Sequence, residues 1–279
     1  MANLALKPNN RISFKGSGLA PISIELYKKS YAQYEKFLSE RSLTEGADSV
    51  LTYLKYAKRK SVQPSTFNNL YARLKRVLQQ KYKNDTATLY AIEKTFKDIK
   101  RVKLEKAITK DEYLTSEEIQ DLIEKLPIKT GLFVEALFQS SLRVSALANC
   151  KLTDIKINGK ATIKVVDKGG SQRTVYISLD LYNRIKREFH SRDTKYLFET
   201  SNNKKYNPNQ ITNQIQKHTK QLKRFCSSHT FRHSTAMYLK NEMGWGINEV
   251  ADYLGHASPM TTAQYYFHDK ADSSKLGFL

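Results

Sequence analysis

The chain has 279 residues, enough for two domains with cores of their own, and its 40% hydrophobic and 11% aromatic content excludes a disordered polypeptide. Its 47 Lys+Arg against 27 Asp+Glu leave a formal charge of +20, which in a folded protein calls for a polyanionic partner, and nucleic acid fits better than a membrane. No apolar run approaches the roughly 20 residues that span a bilayer, and residues 1–20 carry no signal-peptide pattern.

The first twenty residues read as a flexible start, broken by Pro8-Asn9-Asn10 and Gly16-Ser17-Gly18. From Ile24 to Leu38 apolar residues recur at spacings of three and four, the pattern of an amphipathic helix. Val50, Tyr53, Leu54 and Ala57 predict a second helix. Phe67 to Leu78, after the break at Pro64, predict a third, and Leu89, Ile92 and Phe96 a fourth. Before Glu112 there are 23 basic and 10 acidic residues, so this helical segment, 21–100, is expected to grip DNA. Residues 101–112 are basic and poor in large aromatics, as a linker between domains would be. A second domain, 113–279, then opens on Thr115-Ser116-Glu117-Glu118, a capping box.

Helical pattern continues past Leu132-Phe133 and again from Val144 to Asn149. The period changes at Leu152. Ile155 to Ile157, the turn Asn158-Gly159 and Ala161 to Val166 read as a hairpin, and Lys168-Gly169-Gly170-Ser171 turns into a third strand, Arg173 to Ile177. Helices resume around Leu181 to Phe189 and after Pro208. The expected fold is mostly α with a small antiparallel β-sheet, the sheet carrying Lys168 at a hairpin tip.

The densest chemistry lies between Ser227 and His268. Ser227 or Ser228 caps a helix running to about Gly244, on which His229 and Arg232 share one face. A short helix from Ile247 to Leu254 is stopped by Gly255, with His256 just beyond it. Ser258-Pro259 restarts a helix that carries Tyr265 and Tyr266. Tyr265 and Tyr266 lie about 100° apart round a helix, so only one of them can face a given phosphate.

The run His229-Thr230-Phe231-Arg232-His233, then Leu254-Gly255-His256, then Thr261-Thr262-Ala263-Gln264-Tyr265, resembles the signature of the tyrosine recombinase (phage integrase) family. Tyr265 lies nine residues after His256, the family's spacing for its nucleophile. Ser141-Leu142-Arg143-Val144-Ser145-Ala146-Leu147 is similar to the stretch that holds the family's first catalytic arginine, and Asp167-Lys168-Gly169-Gly170 to its hairpin lysine. The likeness covers roughly 115–269; the N-terminal helices match the family's core-binding domain in pattern and order. It departs from the family at Ala146, where an acidic residue is usual, a position read as structural support for Arg143.

The resemblance implies an N-terminal helical core-binding domain and a mixed α+β catalytic domain of the DNA breaking-rejoining type, closing as a clamp on double-stranded DNA at specific recombination sites. It implies strand exchange through a 3′-phosphotyrosine, by a homo-tetramer and a Holliday junction; the two lone cysteines fit a reducing cytoplasm. Tyr265 would attack phosphorus, and Arg143 and Arg232 would bind the non-bridging oxygens, which a planar guanidinium matches. His256 would add a donor, Lys168 would protonate the leaving 5′-oxygen, and His229 would take the tyrosine proton. No cofactor and no metal are called for; His229 and His233 have metal-pair spacing but no third ligand nearby. Cys150 and Cys226 read as buried thiols.

Other residues keep humbler roles. His233, Tyr253 and Trp245 are expected to pack rather than react, and Arg173, Lys204, Lys205 and Tyr206 are expected on the DNA backbone. The apolar finish Lys275-Leu276-Gly277-Phe278-Leu279 either docks on a neighbouring protomer or folds back on its own core. Two rivals remain at this point: a type IB topoisomerase-like or hairpin-forming resolvase with the same cleavage step, and a DNA-binding regulator without catalysis.

Overall fold

The computed structural model describes residues 12, 14, 18–61, 63–102, 112–166, 172–191, 193–256 and 258–266. Lys168 and the segment 275–279 lie outside the described residues. The chain divides into two compact units, Met1–Glu105 and Lys106–Leu279.

The first unit is helical: α1 Pro21–Glu40, α2 Ala47–Lys60, α3 Pro64–Lys81 and α4 Thr86–Asp98. Prolines open α1 and α3, where the missing N–H costs nothing. The Asp85 side chain caps α4 by accepting from the Thr88 amide at 3.0 Å. The apolar stripes meet in one core that includes Tyr34, Phe37, Val50, Tyr53, Leu54, Phe67, Leu74, Phe96 and Ile92. The fully buried Tyr34 hydroxyl pairs with Ser49 Oγ at 2.9 Å, so α1 and α2 are joined by a polar contact inside the apolar one. Lys55, Lys58, Arg59, Lys60, Lys94 and Lys97 stay on the exposed faces of α2 and α4.

The second unit begins with α5 Ser116–Lys125, whose capping box forms as read from the sequence: Thr115 Oγ1 accepts from the Glu118 amide and Glu118 Oε2 from the Thr115 amide. Then come α6 Ile128–Ser140, α7 Val144–Asn149, and the strands β1 Ile155–Asn158, β2 Lys160–Val166 and β3 Gln172–Ile177. The sheet is antiparallel in the order β1-β2-β3, with Ile163 opposite both Ile155 and Val175. Gly159 turns the first hairpin at φ +65°, a conformation glycine adopts without penalty. Alternation along β2 buries Ala161, Ile163 and Val165, so one face of the sheet closes on the core and the other meets water.

Five further helices complete the unit: α8 Leu179–Phe189, α9 Pro208–Gln221, α10 Ser228–Asn241, α11 Ile247–Leu254 and α12 Pro259–Tyr266. Helix α6 runs through the middle, burying Leu132, Phe133, Val134, Ala136 and Leu137, and packs against α5, α8, α9, α10 and β3. A smaller core of Ala236, Leu239, Val250, Leu254 and Tyr266 binds α10, α11 and α12 together. Cys150 and Cys226 are free and buried. Among the described residues no helix is long and apolar enough to cross a membrane.

Helix α10 ends before the expected Gly244: it stops at Asn241 with Glu242 as its cap, and Gly244, at φ +71°, belongs to the turn that follows. The physical reason is the return of the chain. The Trp245 amide donates to Leu239 O at 2.9 Å, and its ring meets Tyr253 edge-on with centroids 5.8 Å apart.

Candidate active site

The site grows from the ends of short helices. Ser227 starts α10 by accepting from the Thr230 amide, which sets His229 in the first turn and Arg232 one turn on. Arg232 is 4% exposed, and a buried guanidinium is costly unless its N–H groups are met. They are met by main-chain oxygens: Nη1 donates to Ser141 O at 2.6 Å and Nη2 to Leu254 O. Ser141 closes α6 in the left-handed region at φ +53°, an uncommon setting for serine. Two residues later, exposed Arg143 occupies the cap position of α7.

A second arginine reaches the same helix end. Arg173, near the start of β3, donates through Nη1 to Tyr253 O, which also accepts from Ser141 Oγ at 3.3 Å. The last carbonyls of a helix have no partner within it. In α11 those of Tyr253 and Leu254 are taken by Arg173 and Arg232, so that helix end is pinned from both α10 and β3. Gly255 follows at φ +65°, and the His256 amide donates back to Ala251 O at 3.0 Å, so the imidazole leaves the helix in a fixed direction. Its Nδ1 is 2.7 Å from Thr262 Oγ1 of α12.

Electrostatics show which groups share a neighbourhood. The protein packed around His229 and then the charges of Arg232 and Arg143 hold its pKa below the ordinary histidine value, although part of the ring is open to solvent. Burial first, then Arg232, Arg143, Arg173 and His233, lower His256 to about 4. Both imidazoles are therefore neutral at pH 7, each with one N–H and one lone pair, beside the same two guanidinium groups. The arrangement can hold an oxyanion, accept one proton and offer one hydrogen bond.

The adjacent tyrosines part company. Tyr266 is 4% exposed, its hydroxyl hydrogen-bonds His233 Nδ1 at 2.7 Å, and burial pushes its pKa up to about 12. Lys240 Nζ donates to Tyr266 O at 2.8 Å and ties down the end of the helix. Tyr265 is half-buried, and among the described residues its hydroxyl has no hydrogen-bond partner. Thus Arg143, Arg232, His229 and His256 are brought together, Tyr265 stands on the adjoining helix with its ring against Tyr266, and Lys168 falls outside the described residues, between strands that pair up to Val166 and Gln172.

Several secondary expectations meet specific partners. His233, Tyr253 and Trp245 all pack within this region; the Tyr253 hydroxyl donates to Gln139 O at 2.6 Å. The ring of Tyr206, partly buried, meets Phe133 edge-on, with centroids 5.1 Å apart. Lys205 donates to Asn149 Oδ1 at 2.6 Å. Ala146, in place of an acidic residue, packs partly buried against the core. Sequence reasoning missed the grip of Arg173 on α11, the left-handed Ser141 and the contact of Thr262 with His256; only a Thr three residues before Tyr265, on a predicted helix, hinted at the last.

Comparison with known proteins agrees with this geometry. Residues 106–272 match the Phage integrase family. Tyrosine recombinase XerA of Pyrococcus furiosus is 30% identical over 250 residues, covering 85% of this chain and 83% of its own. Among solved structures, XerH site-specific recombinase bound to palindromic difH substrate in a post-cleavage complex is similar in fold, with TM-score 0.71 and 18% identity over 89% of this chain and 77% of that one. A lambda integrase dimer bound to a COC′ core site gives TM-score 0.67 and 13% identity over 89% and 72%. The chain belongs to the phage integrase family of tyrosine recombinases. It is an enzyme of DNA recombination that cleaves and rejoins DNA site-specifically, and its mostly helical fold with a three-stranded antiparallel sheet matches the core-binding and catalytic domains of those integrases.

Proposed function

We propose that Tyr265 is the nucleophile and that Arg143, Arg232, His229, His256 and Lys168 complete the catalytic set. Tyr265 Oη forms a bond to phosphorus while the bond from phosphorus to the 5′-oxygen breaks, leaving a 3′-phosphotyrosyl link. His229, neutral at pH 7, receives the phenolic proton directly or through water, and Lys168 gives one to the leaving 5′-oxygen. Arg143 and Arg232 hold the non-bridging oxygens, and His256 adds a donor. The free 5′-hydroxyl of a second strand then reverses the step, in a homo-tetramer that passes through a Holliday junction at specific sites in cytoplasmic DNA. No metal or nucleotide enters this scheme. The N-terminal unit supplies phosphate contacts through its exposed lysines.

The observation that carries this reading is the pairing of two neutral histidines with the guanidinium groups of Arg232 and Arg143, next to a helix whose inward tyrosine is already engaged by His233. The experiment uses a duplex selected from a random-sequence pool by binding to the protein, nicked close to the cleavage position so that the short 5′ fragment diffuses away. The wild type accumulates a covalent adduct that survives denaturation. Tyr265→Phe forms none while still binding DNA, and Tyr266→Phe forms it. An adduct with Tyr265→Phe refutes the assignment.

A further inference from the structure

We infer that Thr262 is a positioning residue for strand cleavage: its buried hydroxyl donates to His256 Nδ1, so that the imidazole turns an Nε2–H toward the scissile phosphate and stays joined to the helix of the nucleophile. This deepens the proposed function and rests on it.

The argument begins with the proton. A threonine hydroxyl has one hydrogen to give, and inside a helix it usually goes to the carbonyl four residues back. Thr219 does this with Ile215 O and Ser234 with Thr230 O, each at 2.9 Å. Thr262 does not. Its fourth residue back is Ser258, ahead of the first turn of α12, and among the described residues its hydroxyl meets His256 Nδ1 alone, at 2.7 Å. Thr262 is fully buried, so water does not compete for that proton.

The imidazole supplies the other half. A neutral ring carries one N–H. If Nδ1 held it, Nε2 would present a lone pair to an anionic phosphate, which is repulsive. If Thr262 donates to Nδ1, the hydrogen is on Nε2 and the ring stabilises negative charge as it develops. The groups facing His256 are Arg232 from α10, Arg143 from the cap of α7, Arg173 from β3 and His233 from α10. All are cationic or imidazole, so among the described residues none of them offers Nε2 a carboxylate that would hold a second proton.

The same bond links position and chemistry. Thr262 is three residues before Tyr265 on a helix of 8 residues, so the contact fixes where that helix sits relative to the histidine. Loss of the hydroxyl frees both the tautomer and the helix.

The test uses the full-length protein. Thr262→Val keeps the volume and removes the hydroxyl; Thr262→Ser keeps the hydroxyl. In single-turnover cleavage of the nicked duplex, valine is expected to lower the rate on the order of 10- to 100-fold with DNA affinity within about 2-fold, and serine to restore most of the loss. Equal rates for valine and wild type overturn the proposal. Independently, ¹⁵N NMR of histidine-labelled wild type, with His256 assigned through His256→Gln, is expected to show a bare Nδ1 and a protonated Nε2. A protonated Nδ1 overturns it even if Thr262→Val fails to fold. Cleavage by Tyr265→Phe would instead defeat the catalytic assignment and leave the tautomer measurement standing, so the two failures are distinct.

Discussion

Arg232 illustrates how main-chain oxygens help to hold a buried charge. Carbonyls from opposite sides of the site, Ser141 O and Leu254 O, accept from its guanidinium, and a main-chain oxygen satisfies an N–H without adding a full negative charge. That charge is felt by every histidine nearby: His229, His233 and His256 are all held below the ordinary value, the last two near 4, with burial the largest cause in each. The sign of the stability effect follows. Below about pH 6.5 the unfolded chain takes up protons that the folded chain refuses until near 4. Stability should therefore fall as pH drops from about 6.5 to about 4. Urea unfolding at pH 7, 6 and 5 checks this, and His256→Gln should flatten the dependence. A stability that rises on acidification would contradict the burial of these rings.

At the scale of the element, the contact of α5 with α6 turns on Gly131. A Cβ there would lie 3.3 Å from Ile123 O, a main-chain atom that cannot swing aside. Gly131→Ala should destabilise the protein by about 1–2 kcal/mol in equilibrium denaturation despite the better helix propensity of alanine. The elements themselves were largely legible. Apolar spacing located α1 to α4, the Thr115 box located α5, and Gly255 and Ser258-Pro259 marked the end of α11 and the start of α12, because each is a local signal with a local cause. What stayed hidden is non-local. Ser141 adopts the left-handed region without the usual glycine because Arg232 and Tyr253, 91 and 112 residues away in the chain, hold its carbonyl and hydroxyl. The hold of Arg173, expected on the DNA backbone, stayed hidden for the same reason: nothing near it in sequence announces the Tyr253 carbonyl. The roles of Arg143 and Tyr265 came from motif spacing, whereas the inward turn of Tyr266 onto His233 needed the packing of α10 on α12.

For the whole molecule the dominant number is its charge of +20. Both units carry part of it, 13 net charges falling before Glu112. Binding of duplex DNA should release counterions in proportion to the phosphates neutralised. If the footprint holds about 6–10 of them, affinity should drop on the order of 10³- to 10⁵-fold between 50 and 200 mM salt. Replacing Lys58 and Lys60 with glutamine should make the double-logarithmic slope shallower by roughly 1–2, equally for specific and unrelated sequences. A gel-shift titration over salt measures both, and an unchanged slope would remove α2 from the DNA-binding surface.

The anchoring of α11 has a bearing on how such a protein can vary. Arginine fingers from α10 and β3 close on the peptide oxygens of Tyr253 and Leu254, atoms that all twenty amino acids possess. Exchanging the side chain at Leu254 leaves its oxygen where it is, whereas at Tyr253 the hydroxyl's bond to Gln139 O is a further constraint. Adding or removing one residue between them and Gly255 would rotate the carbonyls away and redirect His256. The architecture is thus permissive toward substitution at Leu254 and strict about register, which lets the length of this segment, more than its wording, carry the memory of the site.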